Sequence, residues 1–251
     1  MQPKGKKCGF VESIQGIILA AGKGTRMKEA IPKVMITVEG IPMIKRIYEA
    51  LEPNTDGVII VVNNNYQLIE ESLGKKPMYV IQTEQKGTAD ALKSALFNLK
   101  ENSSSLIVPA DTPFLTKNII ENIVDYYYSL EATTLVVGMR VRFPNGYGRI
   151  KMENDKLIKI VEDKDATGME KMNNIINTSI YIIPNSLIIK YIGNVKKSDV
   201  TGEYYLTELI NVIAAENKVD TLIFPEIVEL KGVNDLNALK ALIKQKNAII
   251  N

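Results

Sequence analysis

Read from the amino terminus, the chain alternates short, wholly apolar runs with longer stretches whose apolar positions recur every three or four residues. Residues 14–21, "IQGIILAA", are too short and too apolar for a surface helix and read as a buried strand. "IPMIKRIYEAL" follows with helical spacing, Pro42 falling near its first turn where a missing N–H costs little. "GVIIVVN", "MYVIQ" and "SLIVPAD" read as further buried strands. Between and after them lie helices: "NYQLIEESLG", closed by Gly74; "TADALKSALFNL"; and "LTKNIIENIVDYYYSL", starting near Thr116. Strand and helix alternating through short connections predict a mostly parallel sheet covered on both faces.

Near Leu130 the rhythm changes. "ATTLVVGMRVR" and "GYGRIKMENDKLIKIVED" read as extended strands, the latter a hairpin turning across residues 153–155. "IINTSIYIIP" is another strand, "YYLTELINVIAAEN" a helix, "VDTLIFPEIVEL" a strand and "LNALKALIKQKNAII" a closing helix. No repeat, low-complexity tract or long Pro/Gly linker interrupts the pattern. A single α/β unit over residues 14–251 is therefore expected, behind a basic, solvated, flexible tail at residues 1–13. In such sheets ligands bind beyond the carboxyl ends of the strands. The loop after the first strand falls there.

Composition narrows the chemistry. With 31 basic and 29 acidic residues, the net charge of +2 gives no reason to expect nucleic acid or a membrane surface as partner. The lone Cys8 excludes a disulfide framework and suits a reducing cytoplasm. The absence of histidine removes Ser-His-Asp and Cys-His nucleophiles and the usual His-ligated zinc hydrolases.

That leaves the loop "GIILAAGKGTRMKEAIPKV", residues 16–34. It is not a dinucleotide fingerprint, since Met27 stands where a third glycine is needed and the second strand ends "VVNNNY" without an acid. It is not a Walker loop, lacking Gly-Lys-Ser/Thr at the required spacing. It remains a glycine loop able to turn backbone N–H groups toward an anion, with Lys23, Arg26 and Lys33 in reach. A plain basic loop would carry the same residues.

"LAAGKGTRM" followed by "PKV" resembles the signature of the sugar-1-phosphate nucleotidylyltransferases. "QTEQKGTADA", "ADTPFL", "GYGRI", "IVEDKDAT", "INT", "GEYYLTE" and "GVNDL" follow in family order, from residue 17 to 236. The pattern is most similar to the uridylyltransferase domain of the bacterial N-acetylglucosamine-1-phosphate uridylyltransferases. The resemblance implies a Rossmann-like, glycosyltransferase-A-like nucleotidyltransferase fold: a three-layer, mostly parallel mixed sheet. It also implies uridylyl transfer from UTP to N-acetylglucosamine 1-phosphate, with Mg²⁺. Carried over by position, Leu19, Ala20, Ala21 and Gly22 line the nucleotide, and Arg26 and Lys33 face its phosphates. Gln82, Gln85, Gly87 and Thr88 surround the uracil. Asp111 and Asn234 ligate Mg²⁺, and Gly148, Glu162 and Asn177 hold the sugar.

Each position has a plainer role open to it. Asp111 before Thr112-Pro113 suits an Asx turn, Glu162 a solvated hairpin charge, and Asn177 a strand residue satisfied by backbone. Asn234 is well placed to cap the last helix. Tyr126 to Tyr128, and Tyr204 with Tyr205, suit helix packing better than base stacking. Lys164 is within sequence reach of a sugar phosphate. Three departures from the family pattern bear on the sugar: Ala110 for Gly, Ser179 in "NTS" for "NTG", and "YLTE" for "YLTD". Another sugar 1-phosphate such as glucose 1-phosphate, dTTP in place of UTP, and a silent nucleotide-sugar sensor stay open as alternatives. No hexapeptide repeat appears, so the acetyltransferase β-helix of the bifunctional relatives is not expected here.

Overall fold

The computed structural model describes residues 13–22, 32–130 and 134–250. The strands are β1 (Ser13–Leu19), β2 (Thr37–Val38), β3 (Ile41–Pro42), β4 (Val58–Val62), β5 (Met78–Ile81), β6 (Ser103–Pro109), β7 (Thr134–Arg140), β8 (Arg149–Glu153), β9 (Lys156–Val161), β10 (Ile175–Pro184) and β11 (Val219–Phe224). The helices are α1 (Met43–Leu51), α2 (Gln67–Leu73), α3 (Thr88–Ser94), α4 (Lys117–Ser129), α5 (Gly168–Lys171), α6 (Asn185–Tyr191), α7 (Leu206–Glu216) and α8 (Leu236–Ile250).

The main sheet runs β11-β7-β10-β6-β1-β4-β5, with the β8–β9 hairpin attached to β10. β6, β1, β4 and β5 pair parallel, as the first half of the sequence predicts. β10 pairs antiparallel with β6, β7 and β8, whereas β11 returns parallel to β7. Alternation along the central strands divides their side chains between two cores. Ile14, Ile18, Ile60 and Val62 join Ile44, Ile47, Leu51, Ile120 and Ile123 of α1 and α4 on one face. Ile17, Ile59, Val61 and Ile107 join Leu92, Ile188, Leu209 and Ile210 of α3, α6 and α7 on the other. Three layers follow directly from side-chain period 2 in strands that are apolar on both faces.

Local signals explain the element ends. Thr116 caps α4, its Oγ1 accepting from the Ile119 N–H, and Gly74 at φ 72° closes α2. Asn154 and Asp155, at φ 49° and 60°, turn the β8–β9 hairpin. Pro42 sits at the N-cap, at the edge of the first turn of α1 where it was expected, and also in the short β2–β3 ribbon. Sequence reading passed over α6, because its "SLIIKYI" continues the apolar run of β10 past Pro184. The spacing of Ile188, Tyr191 and Ile192 was the available helical signal. Strand order reverses at β1, between β6 and β4. That switch point is where a crevice opens.

Candidate active site

A cleft of about 560 Å³ lies across the carboxyl ends of the strands. Its lining includes Leu19, Ala20, Ala21, Gly22, Lys33, Gln82, Gln85, Gly87, Thr88, Asp111, Gly148, Glu162, Asn177 and Asn234. The structure thus brings together in one cleft every described residue to which the resemblance gives a nucleotide, metal or sugar role. Arg26, with Lys23, lies outside the described residues. Lys164 is exposed and not part of the lining, so Lys33 is the basic side chain in the cleft among the described residues.

At the centre, β1 delivers Leu19 to Gly22 and β6 delivers Asp111. Lys33, from the single-turn helix Lys33–Met35, places Nζ 2.9 Å from Asp111 Oδ2. The pair is partly open, with side-chain exposures of 15% and 32%. The Asp111 carboxylate therefore meets a lysine, as an Asx turn would not require. Its backbone carbonyl accepts from the Val233 N–H at 2.9 Å, which ties the segment carrying Gly232 and Asn234 against it. Capping of α8 falls to Asp235, whose Oδ1 accepts from the Ala238 N–H at 2.8 Å. Asn234 is left facing the cleft. An aspartate and an amide oxygen are the hard donors that Mg²⁺ takes, usually one or two from protein beside substrate phosphates. Among the described residues no group of three or more acidic or thiol side chains gathers into a fuller cage.

The loop after β5 forms one end. Gln82 is buried, and Gln85 Nε2 donates to its backbone carbonyl at 3.1 Å. Gly87, at φ 122°, allows the backbone of residue 204 to pass close by: Tyr204 N donates to the Lys86 carbonyl and Ala89 N to the Tyr204 carbonyl. Thr88 Oγ1 accepts from the Leu206 N–H at 2.8 Å, so its hydroxyl also caps the start of α7.

The other end is built on β8, β9 and the bulge of β10. Glu162 follows β9, with its Oε1 accepting from Thr207 Oγ1 at 2.8 Å. Burial raises its carboxyl above the usual range, partly offset by that bond. It is not the solvated hairpin charge that the sequence also allowed. Asn177 is buried; its Nδ2 donates to Tyr181 Oη at 2.6 Å and its Oδ1 accepts from the Ser179 N–H at 3.2 Å. Burial likewise pushes the Tyr181 phenol upward. Ser179, at φ 61°, occupies the bulge where the β10–β7 register shifts.

Several lining residues escaped the sequence reading. Tyr147, Glu203 and Thr207 lie inside matched motifs but were given no role. Tyr205 precedes α7 and faces the cleft, where helix packing had been expected; Tyr127 does pack in the core. Arg149 is nearly fully buried, donating to Asp163 Oδ1 at 3.0 Å and to the Tyr147 carbonyl, and so braces the backbone on both sides of Gly148. A charged residue within the strand pattern of "GYGRI" was its signal.

The model of the MobA-like NTP transferase domain matches residues 16–168, which carry the cleft from β1 through Glu162. The chain belongs to this family. Curated relatives of this NTP transferase include the "Bifunctional protein GlmU" of Streptococcus uberis, 34% identical over 227 residues covering 89% of the chain. That of Staphylococcus haemolyticus is 35% identical over 239 residues, covering 92%. They bear out the family resemblance of the motifs. The chain spans about half the length of these relatives, 50% and 53%. Two solved structures share the fold: a UDP-glucose pyrophosphorylase complexed with UDP-glucose, and the inositol-1-phosphate CTP transferase from T. maritima. The first superposes with a TM-score of 0.76 at 18% identity, covering 94% of this chain and 98% of that one. The second gives 0.70 at 14%, covering 92% and 95%. Among the described residues no helix of this transferase is long and apolar enough to cross a membrane.

Proposed function

We propose that the cleft transfers a uridylyl group from UTP to N-acetylglucosamine 1-phosphate, giving UDP-N-acetylglucosamine and pyrophosphate. The observation that carries this reading is the order of groups along the strand ends: amide-rich loop after β5, glycine turn after β1, Lys33–Asp111 pair at β6, the half-buried Glu162 carboxylate and the buried Asn177 amide at β9 and β10. A base, a phosphate chain and a sugar have the same order in the product. The motif resemblance and the named relatives support the choice of uridine and N-acetylglucosamine.

In this reading a sugar-phosphate oxygen attacks the α-phosphorus in line with departing pyrophosphate. A phosphate monoester has a second pKa of about 6, so the nucleophile is ionised at neutral pH and needs no general base. A chain without histidine can run such a reaction by positioning and charge. Asp111 and Asn234 would hold Mg²⁺, which when bound neutralises charge on the phosphates. Lys33 is poised to exchange its carboxylate partner for a phosphate oxygen. Arg26 carries its phosphate role from the motif alone. Glu162 and Asn177 would take hydroxyl and acetamido groups of the sugar.

Glu162→Gln tests the sugar end. The wild-type carboxyl has a raised pKa in the folded chain, so its ionisation costs stability as pH rises through that value. The variant keeps an oxygen for Thr207 but no charge. Its melting temperature is expected to match wild type near pH 4 and to exceed it at pH 7, where the wild-type carboxyl is forced to ionise in its half-buried place. KM for N-acetylglucosamine 1-phosphate is expected to rise about 10- to 100-fold, the value of a charged hydrogen bond, with KM for UTP unchanged. A KM rise for UTP instead would place the sugar elsewhere.

A further inference from the structure

One carboxylate at the base-facing end has no part in the chemistry above. Asp90, in the first turn of α3, accepts from Gln82 Nε2 at 2.7 Å through its Oδ2. The other hydrogen of the same nitrogen goes to the Gly87 carbonyl at 3.1 Å. A carboxylate and a carbonyl can only accept, so chemistry dictates which end of the Gln82 amide points at them. Both amide donors are thereby spent. Gln82 is only 3% exposed, lines the cleft, and among the described residues its Oε1 receives no hydrogen bond. What Gln82 can offer a ligand is an acceptor alone.

We propose that Asp90 is a positioning residue that fixes the Gln82 amide oxygen-outward, so that the cleft selects a pyrimidine carrying a ring N3–H. Uracil and thymine present that donor between two carbonyls. Cytosine has a bare N3 there, which would set two acceptors against each other. The proposal rests on the nucleotidyl-transfer reading and deepens it: base choice is set by a residue one layer behind the one that touches the base. The plainer role for Asp90 is favourable charge in the first turn of α3, which depends on its charge and not on its oxygen.

Two substitutions separate these roles. D90N loses the charge but keeps an oxygen that accepts from Gln82; D90L loses both. The measurement is the ratio of kcat/KM for UTP to that for CTP, with N-acetylglucosamine 1-phosphate fixed, alongside melting temperature and KM for the sugar phosphate. D90L is expected to lower the ratio about tenfold or more, because a released amide can turn either end to the base, while D90N stays within about threefold of wild type. The sugar-phosphate KM should not move in either. If D90L melts too early to assay, D90A carries the same expectation. Unchanged ratios in both folded variants overturn the proposal, as do equal losses in both, which would mean that the charge is what matters. The wild-type ratio tests the underlying reading separately: no preference for UTP removes the uridine assignment and the proposal with it.

Discussion

Asp111→Asn is expected to cut turnover on the order of 10²- to 10³-fold or more while leaving the fold in place. Asp111 carries an anionic side chain just beyond the carboxyl end of β6; its backbone carbonyl accepts from the Val233 N–H, and its carboxylate pairs with Lys33. Its removal takes away the carboxylate proposed to hold Mg²⁺ and leaves Lys33 unpaired. The cost to folding is small by comparison. A partly exposed ion pair contributes about 1 kcal/mol at most, which corresponds to a melting shift of about 2–4 °C for a chain of this length. Turnover and melting temperature, measured together across Mg²⁺ concentrations, check this. Wild-type velocity at limiting Mg²⁺ would remove Asp111 from the metal site.

Gly87→Ala is expected to act in the opposite way, through the fold first. A Cβ there would lie 2.3 Å from the Tyr204 carbonyl oxygen and 2.7 Å from its nitrogen, and the backbone stands at φ 122°. Strain of that kind costs about 1–3 kcal/mol before any clash is counted. Relieving the clash means moving residue 204 away, breaking its bonds to Lys86 and Ala89 and loosening the Leu206–Thr88 contact that starts α7. A loss of about 2–4 kcal/mol would lower the melting temperature by about 4–16 °C. Because the same strap carries Glu203, Tyr205 and Thr207 into the cleft, KM should rise for nucleotide and sugar phosphate together. A normal melting curve would show that the strap tolerates displacement.

The parallel half of the fold was legible because its strands are apolar on both faces and its helices carry clear ends, such as Thr116 and Gly74. The second half was harder. α6 hides in an apolar run that Pro184 divides; in the first half, β2 and β3 are two residues each, too short for any period to register. At the site, motif positions predicted which residues meet, since they sit at strand ends brought together by sheet order. What the motifs could not convey was the hydrogen bonding behind each residue. Asp235 and Asn234 were adjacent candidates to cap α8, and spacing alone did not separate them; that Asp90 turns Gln82 and that Arg149 braces Gly148 depend on how the intervening loops fold, with no fixed spacing to betray them.

The most direct test of the account is pyrophosphate release with Mg²⁺ saturating, comparing UTP with N-acetylglucosamine 1-phosphate, UTP with glucose 1-phosphate, dTTP with glucose 1-phosphate, and UTP alone. Uridylyl transfer to N-acetylglucosamine 1-phosphate predicts pyrophosphate equimolar with UDP-N-acetylglucosamine for the first pair. It also predicts kcat/KM about tenfold or more above the other pairs, the discrimination expected when buried groups paired to a sugar substituent lose their partner, and no release without an acceptor. Preference for dTTP with glucose 1-phosphate would contradict the assignment of base and sugar, and no release from any pair would contradict nucleotidyl transfer in this cleft.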